Sequence, residues 1–303
     1  MTFGTRFFLV SIMKSILVPT DFSKTSRFAA QAAAEIARKS GAVLHFVYVV
    51  DIPSHDPQFS SEAGDDVPAG VFIVKKLEER LEKYASRDYL EGIDTKTHLL
   101  EADNVYESII ELSNKLDSDL IVMGSHSRTM LNKYLIGSNT DRVIRLANCP
   151  VLSVKKEEPN FHIENIAFAS NFYGESYTVF EKLLGFAKVF DANIHLVKII
   201  TPVHFEPTYV SRKLMSDFAE KFDLKNHSVN TYNDEKAESG INRFAHEIEA
   251  DMLAMETHGG SSIVQLITGS VSESILEKTD LPVLTIKIKD QPVSNRVIFP
   301  ELK

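Results

Sequence analysis

Residues 123 to 140 read MGSHSRTMLNKYLIGSNT, a stretch with the residue types of a phosphate cradle. Gly124 lets the chain leave a strand without placing a side chain in the space beyond it. Gly137 and Ser138 stand where a helix begins, and free backbone N–H groups there attract an anion, helped by the helix dipole. Ser138 adds a hydroxyl donor, and His126 adds a ring nitrogen that donates or accepts. A glycine with a serine cap is also what an ordinary helix start needs, so the segment alone supports both readings. Ser127 stands where such a cradle would place another glycine. If that position requires a positive φ, serine costs about 1 kcal/mol there and its Cβ narrows the approach to phosphate. Such a cost weakens a site without abolishing it, and the hydroxyl offers a hydrogen bond in return.

A second candidate is VPTDFS, residues 18 to 23. Asp21 follows a β-rich run and precedes an alanine-rich one. Helix capping by Asp21 or Ser23 is one reading; the other is a carboxylate that accepts the amino group of a purine. For catalysis the sequence offers little. It has no Gly-x-Ser-x-Gly elbow and no phosphate-loop lysine motif, and Ser125 and Ser127 have no base and acid partners evident in sequence. Ten histidines invite a metal reading, yet no His/Cys/Asp/Glu cluster has zinc spacing. His45 and His195 fall inside apolar runs and read as satisfied core residues, and Met123 and Met255 read as strand-end packing. The single cysteine, Cys149, reads as a small buried side chain and fits a reducing compartment.

The elements that would position these groups come in two copies. SDLIVMGSHS (118–127) lies over ADMLAMETHG (250–259) at an offset of 132, and the same offset takes Gly137-Ser138 to Gly269-Ser270 and CPVLSVK to LPVLTIK. SILVPTDFS (15–23) lies over NIAFASNFY (165–173) at an offset of 150, as His45 does over His195. The first copy therefore carries 18 extra residues, for which the Pro-, Gly-, Ser- and Asp-rich segment 53–70 is the candidate surface loop. In the first copy SILVPT, AVLHFVYVV, IDTKTHLLEA, DLIVMG and PVLSVK read as strands, the third nearer an edge. KTSRFAAQAAAEIARKSG, VFIVKKLEERLEKYASRDYLEG, VYESIIELSNKL and SNTDRVIRLAN read as helices, the second as one long amphipathic helix. Continuous Val/Ile/Leu runs joined by helices predict a doubly wound parallel sheet covered on both faces, present twice. In such sheets ligands bind beyond the carboxyl ends of the strands, at the topological switch point.

Composition narrows the partners. At 303 residues, two domains are the natural expectation. A net charge of −9 without a Lys/Arg run argues against nucleic acid and anionic membrane. The run Phe7 to Ile12 is too short for a span and lacks a cleavage site, so 1–12 reads as an extension or mis-assigned start. The charged, proline-containing stretch 155–162 joins the two copies, and 290–303 reads as a tail.

Together these residues resemble the universal stress protein family in its tandem two-domain form, from Met13 to about Lys289. Nucleotide-binding members carry Pro-x-Asp after the first strand, Gly-x2-Gly-x9-Gly-(Ser/Thr) after the fourth, and a Pro-Val-x-x-Val last strand. The first copy matches at Pro19, Asp21, Gly124, Gly137, Ser138, Pro150, Val151 and Val154, with the nine-residue gap kept and Ser127 as the departure. The resemblance implies two Rossmann-like, adenine nucleotide alpha hydrolase-like domains, 13–156 and 162–289, whose last strands pair across a pseudo-twofold. It implies a stress-response protein of the cytoplasm binding ATP, with Mg2+ as the nucleotide's counter-ion, no structural metal and no assignable catalytic residue. By that resemblance Asp21 and Val49 would line the adenine pocket, Gly124, His126, Gly137, Ser138 and Asn139 would surround ribose and phosphates, and Pro19, Thr20, Met123 and Ser127 would complete the nucleotide-binding set. The second copy keeps Gly259, Gly269 and Ser270 but has Glu256 at the first glycine position and Asn171 at the aspartate. It is expected to bind nucleotide poorly or not at all. The rival reading is a protein-interaction module of the same family without nucleotide, and a weaker third is a small-ligand or enzymatic role using the crevice and the 53–70 loop. One chain would form the pseudo-dimer, with further homodimerisation left open.

Overall fold

The computed structural model describes residues 13–50, 69–125, 138–173, 176–258 and 269–288. The extension 1–12, nearly all of the 53–70 insertion and the tail 290–303 lie outside the described residues. The first repeat runs β1 (Ser15–Pro19), α1 (Lys24–Ser40), β2 (Val43–Val50), α2 (Ala69–Ala85), β3 (Thr95–Glu101), α3 (Val105–Lys115), β4 (Leu120–Gly124), α4 (Ser138–Leu146) and β5 (Val151–Val154). The second runs β6 (Asn165–Ala169), α5 (Ser176–Phe190), β7 (Asn193–Ile200), α6 (Thr208–Lys221), β8 (His227–Asn233), α7 (Ala237–Glu247), β9 (Met252–His258), α8 (Gly269–Lys278) and β10 (Val283–Ile288). The link from β2 to β3 spans residues 51–94 and its counterpart from β7 to β8 spans 201–226, so the length difference lies there. Ala69 and Gly70, assigned to the insertion by composition, already belong to α2.

All ten strands form one sheet, ordered β3-β2-β1-β4-β5-β10-β9-β6-β7-β8. Within each repeat every pairing is parallel; β5 and β10 join the halves antiparallel, with Leu152 opposite Leu284. The predicted pairing of last strands therefore makes the sheet continuous and removes two open edges. The junction is reinforced by side chains. Thr285 donates its hydroxyl to the Val151 carbonyl at 3.1 Å, and the buried Lys155 ammonium donates to the carbonyls of Glu277 at 3.0 Å and Thr279 at 2.8 Å at the end of α8. Burial pushes the Lys155 ammonium below its ordinary value, against the opposing influence of Asp280 and Glu277.

Side-chain alternation along the strands divides the core into two layers. Ile16 and Val18 belong to the core layer that also takes the buried faces of α1, α2, α5 and α6. Leu17 points the other way, into the layer shared with α3, α4, α7 and α8. Helix α1 buries six alanines and lies close against β4, while α5 carries Phe180, Leu183 and Phe186 and touches β9 sparsely. Small side chains bring one helix down onto the sheet; large ones hold its counterpart away. The amphipathic segment after the insertion does not remain one helix to Gly92. It ends at Ala85 and re-forms as a 3-10 turn over Asp88–Leu90 that buries Leu90. The Tyr89 carbonyl accepts from Arg38 of α1 at 2.9 Å, so a tertiary contact overrides the local periodicity.

Candidate functional site

Strand β1 lies between β2 and β4, and the chain turns outward to either side of it, which makes its carboxyl end the switch point of the first repeat. Pro19, Val49 and Met123 stand at the carboxyl ends of these three neighbouring strands. Met123 is buried and Val49 half-buried on the face covered by α3 and α4. Side-chain alternation carries Pro19, two residues beyond Leu17, to the same face.

The loop beyond β1 is tightly determined. The Thr20 N–H donates to the Val47 carbonyl at 2.9 Å, and its hydroxyl accepts from the Phe22 N–H at 3.0 Å. Ser23, rather than Asp21, is the N-cap of α1, accepting from the Ser26 N–H at 3.2 Å. Asp21 is exposed, and its Oδ1 accepts from the Ser23 N–H at 2.9 Å. Partial burial pushes the Asp21 carboxyl up, but hydrogen bonds from Ser23 and Ser26 outweigh it and hold the group below its ordinary value. A carboxylate has about four acceptor positions, so this turn leaves capacity for a ligand's amino group. Phe22 sits at a φ of 62°, a conformation few side chains adopt, and Phe172 repeats it at 62°. The Ser170 hydroxyl accepts from the Phe172 N–H at 2.9 Å as Thr20 does from Phe22, so the two repeats hold the strained residue by the same device.

Gly124 has a sharper role than its place at a strand end indicated. A Cβ there would lie 2.5 Å from the Thr25 carbonyl carbon and 2.7 Å from the Ser26 nitrogen, both backbone atoms of the first turn of α1. The Thr140 hydroxyl of α4 donates to the Gly124 carbonyl at 3.1 Å, and Asn139 is half-buried in the same turn. Ser138 opens α4. His126, Ser127 and Gly137 lie outside the described residues. Ser125, which the sequence offered only as an unsupported nucleophile, is 1% exposed, and its hydroxyl has no hydrogen-bond partner among the described residues. A buried hydroxyl without a partner is costly unless something donates to it or accepts from it, so this end of β4 fits a polar ligand group.

In the second repeat the corresponding crevice is a cavity of about 510 Å3. Ala169, Ile199 and Met255, the counterparts of Pro19, Val49 and Met123, line it together with Val197, Ile241 and Val271. Glu256, in place of Gly124, accepts from the Ser170 hydroxyl at 2.9 Å. Lys198, buried between apolar neighbours in the second half of β7, pairs with Glu206 at 2.8 Å. Glu206 also accepts from the hydroxyls of Tyr173, at 3.3 Å, and Ser211. Burial pushes the Glu206 carboxyl up, but the hydrogen bonds from Lys198 and Ser211 outweigh it and leave the group below its ordinary value. Comparison of the repeats missed this network because Lys198 matches Tyr48 and Glu206 falls where the copies differ in length. The available signal was a lysine inside NIHLVKII.

Other candidates are satisfied structurally. His45 Nδ1 lies 3.0 Å from His98 Nε2. His195 meets the Ser228 hydroxyl at 2.8 Å and Asn165 at 3.1 Å. Among the described residues no group of three or more His, Cys, Asp or Glu is placed to hold a metal, and no helix is long and apolar enough to cross a membrane.

Comparison with known proteins bears on the whole arrangement. The universal stress protein family matches the chain twice, over residues 13–155 and 162–287. The chain belongs to the universal stress protein family. Universal stress protein Slr1230 of Synechocystis is 24% identical over 299 residues, covering 91% of this chain and all of that protein. Universal stress protein MJ0531 of Methanocaldococcus jannaschii is 35% identical over 151 residues, 48% of this chain and 84% of its own length. A universal stress protein structure from Archaeoglobus fulgidus superimposes with a TM-score of 0.71 at 19% identity, over 91% of this chain and 98% of that one. That likeness establishes the shared fold. Another universal stress protein from Archaeoglobus fulgidus has been solved in complex with dAMP.

Proposed function

We propose that this tandem universal stress protein binds an adenine nucleotide, ATP with Mg2+ as its counter-ion, in the crevice of the first repeat. Its role is in the cytoplasmic response to stress. The observation that carries the reading is the convergence of Pro19, Val49 and Met123 at the switch point, next to the loop that carries the exposed Asp21. Apolar side chains there suit the faces of a purine, Thr20 fixes the loop, and Asp21 accepts from the amino group. Gly124, His126, Ser127, Gly137, Ser138 and Asn139 would surround ribose and phosphates, where α4 begins and its free N–H groups favour an anion. Bound Mg2+ would neutralise part of the phosphate charge. Residues 13–156 and 162–289 are the two domains of this reading, one chain supplies both halves of the pseudo-dimer, and no residue is assigned to catalysis.

A second reading has a specific observation behind it. Asp21 is already engaged by its own turn, and Ser127 departs from the glycine pattern, as in an interaction module without nucleotide. Calorimetric titration with ATP and ADP on the wild type, Ser127→Gly and Asp21→Ala separates the two. The nucleotide reading expects saturable binding by the wild type, tighter binding by Ser127→Gly and weaker binding by Asp21→Ala. No heat of binding at millimolar nucleotide in the wild type would favour the interaction module.

A further inference from the structure

We propose that the cavity of the second repeat binds an uncharged molecule with an apolar body and a carbonyl group, of the aryl ketone or aryl amide kind. Its volume of about 510 Å3 is that of a small-molecule pocket. Val197 and Ile199 of β7, Ile241 of α7, Met255 of β9 and Val271 of α8 give it apolar walls from four elements, so the fold fixes its shape. An apolar body gains by entering such a space.

Hydrogen-bond donors select the carbonyl. Lys198 lines the cavity with its side chain only 7% exposed. An ammonium has three N–H donors. The pairing with Glu206 at 2.8 Å engages one of them, and the Tyr173 ring, its centroid 4.8 Å from Nζ, attracts the charge. No further acceptor reaches the buried Nζ among the described residues. Desolvated donors without an acceptor are costly, and a ligand oxygen removes that cost. The first repeat has Tyr48 at this position, so the donor is particular to the second crevice. Asn171, also in the lining, replaces the acceptor-only carboxylate of Asp21 with an amide that donates as well.

The same ion pair sets the charge of the ligand. An anion that took the spare donors of Lys198 would lie beside the Glu206 carboxylate and meet a like charge in a partly desolvated setting. A cation would lie against the ammonium and make no use of its N–H groups. A carbonyl oxygen meets neither penalty, since it carries two lone pairs and no hydrogen of its own to place.

The test uses the full chain labelled with 13C-methyl methionine, because Met255 lines this cavity and Met123 stands at the equivalent place in the first repeat. Met123→Leu and Met255→Leu assign the two resonances. The probes are acetophenone, its hydrocarbon isostere 2-phenylpropene, and the anion benzoate. Acetophenone shifts Met255 saturably and leaves Met123 unmoved, and benzoate leaves both unmoved. Glu206→Gln keeps Lys198 and an acceptor for Tyr173 and Ser211 but removes the competing charge, and benzoate then shifts Met255. Lys198→Met combined with Glu206→Gln removes the donors, weakens acetophenone about tenfold and leaves 2-phenylpropene unchanged. The Glu206→Gln comparison keeps the ammonium in place and decides the matter even where the double variant fails to fold. Wild-type binding of benzoate as tight as that of acetophenone, exclusion of benzoate from Glu206→Gln, or equal loss of ketone and hydrocarbon in the double variant would each overturn the proposal. A ketone response at Met123 instead of Met255 would do the same. Failure of ATP to bind would appear at Met123 alone and leaves these outcomes intact.

Discussion

Replacing Gly124 by alanine isolates the contact on which the first crevice is built. The new Cβ would stand 2.5 Å from the Thr25 carbonyl carbon, 2.6 Å from its oxygen and 2.7 Å from the Ser26 nitrogen. Ordinary contact begins about 1 Å further out, and the neighbours are backbone atoms that cannot rotate aside. The first turn of α1 must move, at a cost of about 1–3 kcal/mol. With a urea slope of about 2 kcal/mol per molar, the unfolding midpoint falls by about 0.5–1.5 M. Gly41 is the control. It closes α1 at a φ of 74° with nothing within 4 Å of a built Cβ. Alanine there costs about 1 kcal/mol through backbone conformation alone. The two variants therefore differ in kind. Gly124→Ala displaces Ser23 and Ser26, which hold the Asp21 turn, and lowers ATP affinity as well as stability. Gly41→Ala lowers stability and leaves ATP affinity unchanged. Urea unfolding followed by circular dichroism, with calorimetry on the folded variants, reads both quantities. A Gly124→Ala protein with wild-type midpoint and affinity would refute the packing argument.

Stability should also fall in mild acid. Burial lowers the titration of His45, His98 and His195 below the ordinary value near 6.5, with His98 and Lys96 adding to it for His45 and Lys96 and Lys115 for His98. Below that pH the unfolded chain binds more protons than the folded one, so the contribution is complete above about pH 7 and is lost as pH falls through the folded values. Urea midpoints at pH 7.5 and 5.5 measure the loss, and His45→Gln combined with His98→Gln reduces the difference between them. Lys155→Met removes two hydrogen bonds at the end of α8 and should cost about 1–3 kcal/mol, seen as a lower thermal midpoint.

Much of this molecule was legible as repetition. Constant offsets within blocks aligned β1 with β6 and β4 with β9, and the apolar runs gave a parallel sheet doubled in one chain. Strand order at the junction came from the family resemblance, because the sequence of β5 does not itself say that Leu152 faces Leu284. Local pattern failed where distant residues decide. The helix periodicity continues through Ser86, yet the Arg38 contact at Tyr89 turns the chain there. Gly124 read as a strand end, while its need for glycine lies in Thr25 and Ser26, far away in sequence. Asp119 and Asp251 were aligned without a role. Each accepts two N–H groups at the start of the preceding repeat strand, those of Lys14 and Ser15 at 2.7 and 3.1 Å and those of Glu164 and Asn165 at 2.8 Å each. The second crevice was legible only by subtraction, since Glu256 and Asn171 mark what it lost. The Lys198–Glu206 pair joins a strand to a loop that has no counterpart of equal length.

On the proposed reading, two crevices of one design have separated in function, the first binding an adenine nucleotide and the second not. Met123 and Met255 occupy equivalent positions in the two, so their 13C-methyl resonances report each crevice independently during one titration with ATP and Mg2+. Nucleotide binding in the first crevice alone gives a saturable shift of Met123 and a stationary Met255. A Met123 resonance unmoved at millimolar ATP, or a Met255 resonance that moves with it, would overturn that division.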